Sequence, residues 1–315
     1  MTKKREAPYK LLQLEALLKR LPANHPKRPF LEQEYHKRLA GYRGEQEIDF
    51  YLNYVSDHPI ICLNNIRLNY DSQYFQIDTL VISPQYLLIL EIKNITGTIY
   101  FDEQFGQLIR IYEGKQEGMR DPIFQVQRQK NLLLKWLKKN HFPLWPIEAF
   151  IIISNPSTII KTSNTQPLHI VHVTKIPEII HHLNEKYPPV KTLTPVAELA
   201  DKIAEMNQPL VTDILDEYAI DPGHLIKGVR CPNCDFIPMK KIWKKWQCTK
   251  CHFISQHVYE TSLDDYKLIF GNKITNRGLR DFLKIRSRST AWYILQKFVT
   301  EKKGTNRKMD YFFIE

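Results

Sequence analysis

Residues 76–94, QIDTLVISPQYLLILEIKN, constrain the fold more than any other stretch of the chain. Two runs rich in Val, Ile and Leu flank a short SPQY reversal, the pattern of two neighbouring buried strands. Yet Asp78, Glu91 and Lys93 stand inside those runs. Charged side chains are seldom buried unless they are paired or hold a metal. Alternation along a strand puts Gln76 and Asp78 on one face, and Glu91 and Lys93 on one face. A symmetric reversal at 83–86, free of a β-bulge, pairs positions whose numbers sum to 169. Asp78 then opposes Glu91, and Gln76 opposes Lys93. Opposed Cβ atoms lie about 4.5–5.5 Å apart, so two carboxylates there repel unless a proton or a cation separates them. Two readings of these residues stay open: one carboxylate pairs with Lys93 while the other meets solvent, or a hard divalent ion joins both.

The surrounding pattern is α/β. Leu31, Tyr35, Leu39, Tyr42, Ile48 and Leu52 recur at helical spacing over 31–55. Strands are expected at 60–69, 75–83 and 86–93, then a hairpin of TGTIYFD and QLIRIYEG turning near Glu103–Gly106. Asp121 and Pro122 suit the N-cap and first turn of a helix through DPIFQVQRQKNLLLKWLKKN. Strands at 147–154 and 168–174 and helices at 175–186 and 194–207 complete this block. Two details inside it bear on chemistry. Gly44 sits mid-helix, where glycine costs ~1 kcal/mol relative to alanine, which points to a close neighbour. Gln125 and Gln129 lie one helical turn apart on a common face.

GxxGE in a helix (41–45), QID on one strand, EIKN on the next and DPIxQ opening a later helix follow one another in fixed order. In that combination residues 35–155 resemble the NERD (nuclease-related) domain, a branch of the PD-(D/E)XK restriction-endonuclease-like superfamily. The resemblance implies a restriction-endonuclease-like α-β-β-β-α-β core with a metal-dependent phosphodiesterase site. It implies a catalytic set of Glu45, Asp78, Glu91, Lys93 and Gln125. Asp78, Glu91 and the backbone carbonyl of Ile92 would hold Mg²⁺ or Mn²⁺. Lys93 would position the attacking water, Glu45 would be an outer acid or a ligand of a second ion, and Gln125 would orient Lys93, the water or a phosphate oxygen. Gln76 completes the QID signature, and Ile77 stands where the superfamily's name has proline.

The remainder of the chain differs in kind. Of 45 Lys+Arg and 34 Asp+Glu, 18 and 8 fall from Arg230 onward, so nearly all of the +11 net charge lies in the last quarter. Charge localised in this way favours a polyanion, most simply nucleic acid; DNA is the expected partner ahead of RNA, though basic patches and zinc ribbons also suit RNA. CPNC (231–234) and CTKC (248–251) are thirteen residues apart. Two CxxC pairs at that spacing suit one four-thiolate structural Zn²⁺ better than disulfides or redox pairs, and four thiolates leave no open position. They also leave no need for His252 or His257 as ligands. Cys62 reads as a core residue in an apolar strand. Trp243 and Trp246, interleaved with Lys240, Lys241, Lys244 and Lys245, are either packing for a small ribbon or platforms for bases. Residues 274–315 resemble a winged helix-turn-helix, whose second helix would point Arg288, Thr290, Tyr293 and Lys297 at DNA, with the basic turn EKKGTNRK as its wing.

The expected organisation is an N-terminal helix and linker (1–30), a NERD-like domain with a helical extension (31–227), a zinc ribbon (228–259) and a winged-helix module (260–315). No apolar run reaches the ~20 residues of a membrane span, and the basic start lacks a signal-peptide core, so a cytoplasmic setting is expected. The favoured function is a metal-dependent nuclease tethered to DNA by its C-terminal region. A catalytically inactive DNA-binding adaptor on the same fold is the alternative, and separating them takes a cleavage measurement.

Overall fold

The computed structural model describes residues 5–55, 59–102, 104–162, 169–190, 195–243, 245–304 and 309–313. The first residues of the strand expected at 168 and of the helix expected at 194, Glu103 of the hairpin turn, Lys244 of the ribbon, residues 305–308 of the basic turn, and 314–315 lie outside them. The chain divides into two compact units, one made of Met1–Glu6 with Arg38–Leu210 and the other of Ala7–Lys37 with Val211–Glu315.

In the first unit, the C-terminal part of α2 (Arg28–Tyr54) precedes three antiparallel strands, β1 (Ile61–Tyr70), β2 (Gln73–Ile82) and β3 (Leu87–Lys93). After α3 (Pro122–Lys139), β7 (Ile147–Ile153) joins β3 in parallel, and β9 (Ile170–His172) joins β7 in parallel. The resulting mixed sheet has the order β1-β2-β3-β7-β9. The register expected from the SPQY reversal is present: Thr79 faces Leu90, Leu80 faces Ile89, Val81 faces Leu88 and Ile82 faces Leu87. Both faces of β2 and β3 are covered, which is why these strands read as near-continuous apolar runs. One apolar layer unites Leu80, Ile82, Leu87 and Ile89 with Leu133, Trp136 and Leu137 of α3. The other unites Val81, Leu88, Leu90 and Cys62 with Ile48 and Leu52 of α2 and Ile176 and Ile180 of α4 (Ile176–Lys186).

Between β3 and α3 the chain forms β4 (Thr98–Asp102), β5 (Gln107–Tyr112) and β6 (Lys115–Arg120), and these join β8 (Ile159–Thr162), which follows β7, in a second sheet of order β6-β5-β4-β8. The β4–β5 hairpin was expected; β6 and β8 were not. KQEGMR and IIKT are exposed over most of their length, so neither carries a hydrophobic alternation. α5 (Val196–Glu205) packs Leu199, Ala200 and Ile203 into the main core.

The second unit joins α1 (Tyr9–Arg20) and α6 (Ile214–Glu217) to everything after them. Leu14, Leu17, Leu21 and Leu31 pack with Ile214, Ile220, Leu225 and Ile269. A small sheet, β10 (Lys240–Ile242), β11 (Lys245–Gln247) and β12 (Ile254–Ser255), precedes α7 (Tyr259–Phe270). Then come β13 (Lys273–Thr275), α8 (Asn276–Leu283), α9 (Arg288–Phe298), β14 (Val299–Lys303) and β15 (Asp310–Phe313). The last three strands form a sheet of order β13-β15-β14. Thr275 caps α8 by accepting from the Gly278 N–H, and Ser287 caps α9 by accepting from the Thr290 N–H. Below these elements, Asp265 accepts from the guanidinium groups of both Arg20 and Arg230 at 2.9 Å, all three side chains being buried. No helix among the described residues is long and apolar enough to cross a membrane.

Candidate active site

The sheet opens where Asp78 sits. The β1–β2 ladder pairs Asn64 with Thr79 and Ile66 with Ile77, but skips Asn65, which has a left-handed φ of 54° and lies in register with Asp78. On its other side the β2–β3 ladder ends at Thr79–Leu90, one residue short of Asp78 and Glu91. Asp78 Oδ2 instead accepts the Ile92 N–H at 2.9 Å. Asp78 thus sits at a one-residue gap in the β1–β2 ladder and just past the end of the β2–β3 ladder. Burial, then the charge of Glu91, pushes the Asp78 carboxyl up to about 8, against the pull of the Ile92 N–H.

Glu91 is the hub. Its buried carboxylate accepts from Lys93 Nζ at 2.6 Å and Gln125 Nε2 at 2.6 Å on Oε1, and from Gln129 Nε2 at 2.7 Å on Oε2. Lys93 Nζ also donates to Gln125 Oε1 at 3.2 Å. Gln129 Nε2 reaches the Gln76 carbonyl at 2.8 Å, linking α3 to β2, while its buried Oε1 finds no partner among the described residues. Lys93, Gln125 and Gln129 thus converge on one carboxylate from a strand and one face of a helix. The helical spacing of the two glutamines pointed to that face, but sequence reasoning put only Gln125 in the site.

Glu45 is brought in by α2, which approaches closely at Gly44. A Cβ on Gly44 would lie 2.5 Å from Ser154 Oγ and 2.8 Å from Asn94 Cβ. The Asn94 amide also donates to the Ala40 carbonyl at 2.6 Å. Burial raises the Glu45 carboxyl, and the charge of Arg5 opposes this. Arg5 has no sequence signal at all. Its buried guanidinium reaches Glu45 at 3.2 Å, both Asp49 oxygens at 3.0 and 3.2 Å, Thr79 Oγ1 at 2.8 Å and the Asp78 carbonyl at 3.4 Å. Asn65 Nδ2 adds a 3.4 Å contact to Glu45.

Divalent-metal chemistry suits part of this donor set. Asp78, Glu91 and the Ile92 carbonyl offer only oxygens, as Mg²⁺ and Mn²⁺ require, and a raised carboxyl is one that a cation would restore to its charged form. Glu45 is already neutralised by Arg5.

The four cysteines form a separate centre. Their sulfurs lie within 4.8 Å of one another, the only such group of Cys, His or carboxylate ligands among the described residues. Cys231–Cys251 and Cys234–Cys248 are 3.6 and 3.5 Å apart, near the ~3.8 Å edge of a tetrahedron with metal–sulfur bonds of about 2.3 Å. The two knuckles repeat each other. Cys231 donates to the Phe236 carbonyl and accepts from the Asp235 N–H; Cys248 does the same with Phe253 and His252. Asp235 and His252 share a left-handed φ of 57° and 59°. His252 is therefore the turn residue of its knuckle and lies outside the ligand group. Hydrogen bonds from Asn233 and from the Phe253 backbone pull the Cys251 thiol down to about 6.

The four residues expected at DNA divide between two clefts. Arg288 lines one with Arg277, Arg280 and Trp292. Thr290, Tyr293 and Lys297 line another, together with Lys241 and Trp243 of the ribbon.

No curated protein and no solved structure matches the chain. Residues 40–154 match the family model of NERD, the nuclease-related domain. That segment holds Glu45, Asp78, Glu91, Lys93, Gln125 and Gln129, and leaves out Arg5. That match suggests a nuclease-related function for the segment it covers.

Proposed function

We propose that the chain is a metal-dependent nuclease that hydrolyses phosphodiester bonds of nucleic acid, DNA in preference to RNA, held to its substrate by the basic C-terminal unit. The observation that carries this reading is the convergence of Lys93, Gln125 and Gln129 on Glu91, one residue beyond the point where the sheet opens at Asp78. Asp78, Glu91 and the Ile92 carbonyl would hold Mg²⁺ or Mn²⁺, which when bound screens phosphate charge and activates water. Lys93 holds a proton at Nζ, directed by Glu91 and Gln125, and is the group placed to orient water and to meet developing negative charge on a phosphate oxygen. Gln129 fixes the rotamer of Glu91 against the Gln76 carbonyl. Arg5, paired with both Glu45 and Asp49, forms a buttress beside Asp78.

The cysteine centre would hold a structural Zn²⁺ in a ribbon, and the order helix, strand, helix, helix, strand, strand over Tyr259–Phe313 supports a winged helix. With an excess of ten positive charges from Arg230 onward, this unit would raise the local concentration of the first on a polyanion. Cleavage of labelled DNA in Mg²⁺ or Mn²⁺ tests the reading. Lys93→Ala is expected to lose cleavage by at least about 100-fold with DNA affinity unchanged. Equal cutting by both proteins removes Lys93 from the mechanism. Binding without cutting by the wild type, across single- and double-stranded substrates, turns the assignment to an inactive adaptor.

A further inference from the structure

The ribbon tip and α9 build a cleft of about 540 Å³ whose chemistry differs from that of a helix reading a duplex. Its floor is apolar and buried: Trp246 is 6% exposed, and Ile294 is 5% exposed. Its rim is aromatic and open. Trp243, at the turn between β10 and β11 with a left-handed φ of 50°, is 90% exposed, and Tyr293 on α9 is 66% exposed. Lys241 and Lys297 supply the charge, and no carboxylate lines the cleft among the described residues. The two walls belong to one apolar core, in which Trp246 and Cys248 pack with Val258, Tyr259 and Ile294, so the cleft is preformed.

A recognition helix needs its outward face clear to enter the major groove, which is only about 12 Å wide. Here that face, Thr290, Tyr293 and Lys297, is flanked by the ribbon tip. Bases stacked inside a duplex cannot offer their faces to Trp243 and Tyr293, whereas the splayed bases of a single strand can. Aromatic platforms beside a cationic track are the usual means of holding single strands. We infer that this cleft binds single-stranded nucleic acid, with bases stacked on Trp243 and Tyr293 and phosphates on Lys241 and Lys297.

The inference rests on the nucleic-acid part of the proposed function and not on cleavage. The test uses the full zinc-loaded chain, without other divalent ions, and fluorescence anisotropy of labelled dT and U oligomers of about 15 nucleotides and a duplex of equal length. Single strands are expected to bind more tightly than the duplex. Trp243→Ala and Tyr293→Ala should each weaken single-strand binding about 5- to 100-fold, with Trp243→Phe retaining most of it and duplex binding little changed. Trp243 is exposed, so its replacement leaves the core intact. The tighter of dT and U names DNA or RNA as the source, and either supports the inference. Unchanged single-strand affinity in both alanine variants overturns it, as does an equal fall for single strand and duplex. Loss of cleavage with intact strand binding speaks against the nuclease alone; intact cleavage without strand binding speaks against this cleft alone.

Discussion

Asp78→Asn separates the cost of the site from its chemistry. The Asp78 carboxyl is pushed up to about 8 in the folded chain, against 3.8 for the free group. A raised carboxyl makes the folded state hold more protons than the unfolded chain between those values, so stability falls as pH rises from about 4 to about 8. At pH 7 the unfolded group has gained from ionising across roughly three units that the folded group forgoes, equivalent to about 4 kcal/mol. Water reaching a half-buried side chain reduces this to about 1–3 kcal/mol. Asparagine keeps an oxygen for the Ile92 N–H and never ionises. The variant is therefore expected to match wild type near pH 4 and to exceed it by about 1–3 kcal/mol at pH 8, or about 2–4 °C per kcal/mol for a unit of this size. Millimolar Mg²⁺ should close the gap by stabilising wild type alone, through binding linkage. Thermal and urea denaturation of both proteins at several pH values, with and without Mg²⁺, reads all of this. A difference that does not vary with pH, or a variant less stable than wild type at pH 8, refutes the reasoning.

Arg5→Ala leaves Glu45 and Asp49 without their buried cation, and should cost about 3–5 kcal/mol in urea denaturation; Arg5→Lys, which cannot span the same five contacts, should recover less than half. An unchanged midpoint for Arg5→Ala would remove the buttress role. Gly44→Ala drives a methyl against Ser154 and Asn94, and a loss of about 1–3 kcal/mol is expected, whereas a stabilised variant would show that α2 does not approach β3 there. Cys248→Ser should abolish zinc retention in elemental analysis and remove the unfolding transition of the second unit while sparing that of the first. Zinc bound at full stoichiometry in that variant would contradict the four-thiolate site.

What the sequence revealed depends on how local each signal is. The β2–β3 register was legible because a symmetric reversal at SPQY fixes which positions face each other across it. The crowding at Gly44 was legible from one misplaced residue type, and the knuckles from cysteine spacing. β6 escaped because KQEGMR is exposed and pairs through backbone alone. Arg5 escaped for a different reason. It meets Glu45, Asp49 and Thr79 across 40 to 74 residues, and a single arginine near a chain end carries no period, cap or motif. The ambiguity over the two tryptophans had no local answer either: strand alternation at the ribbon tip sends Trp246 inward, and the turn sends Trp243 out.

The make-up of the two units also sets an order in time. Leu14 and Leu17 of α1 leave the ribosome early, yet their partners Ile214, Leu225 and Ile269 are translated some two hundred residues later. Arg20 likewise waits 245 positions for Asp265. Meanwhile Arg38–Leu210 emerges whole and can fold as a single insertion, leaving an amphipathic helix uncovered until the segment from Val211 onward is made. Newly made α1 is thus open to chaperones and proteases over that interval. For the same reason a fragment beginning at Val211 lacks the arginine that shares Asp265 and the leucines that close its core.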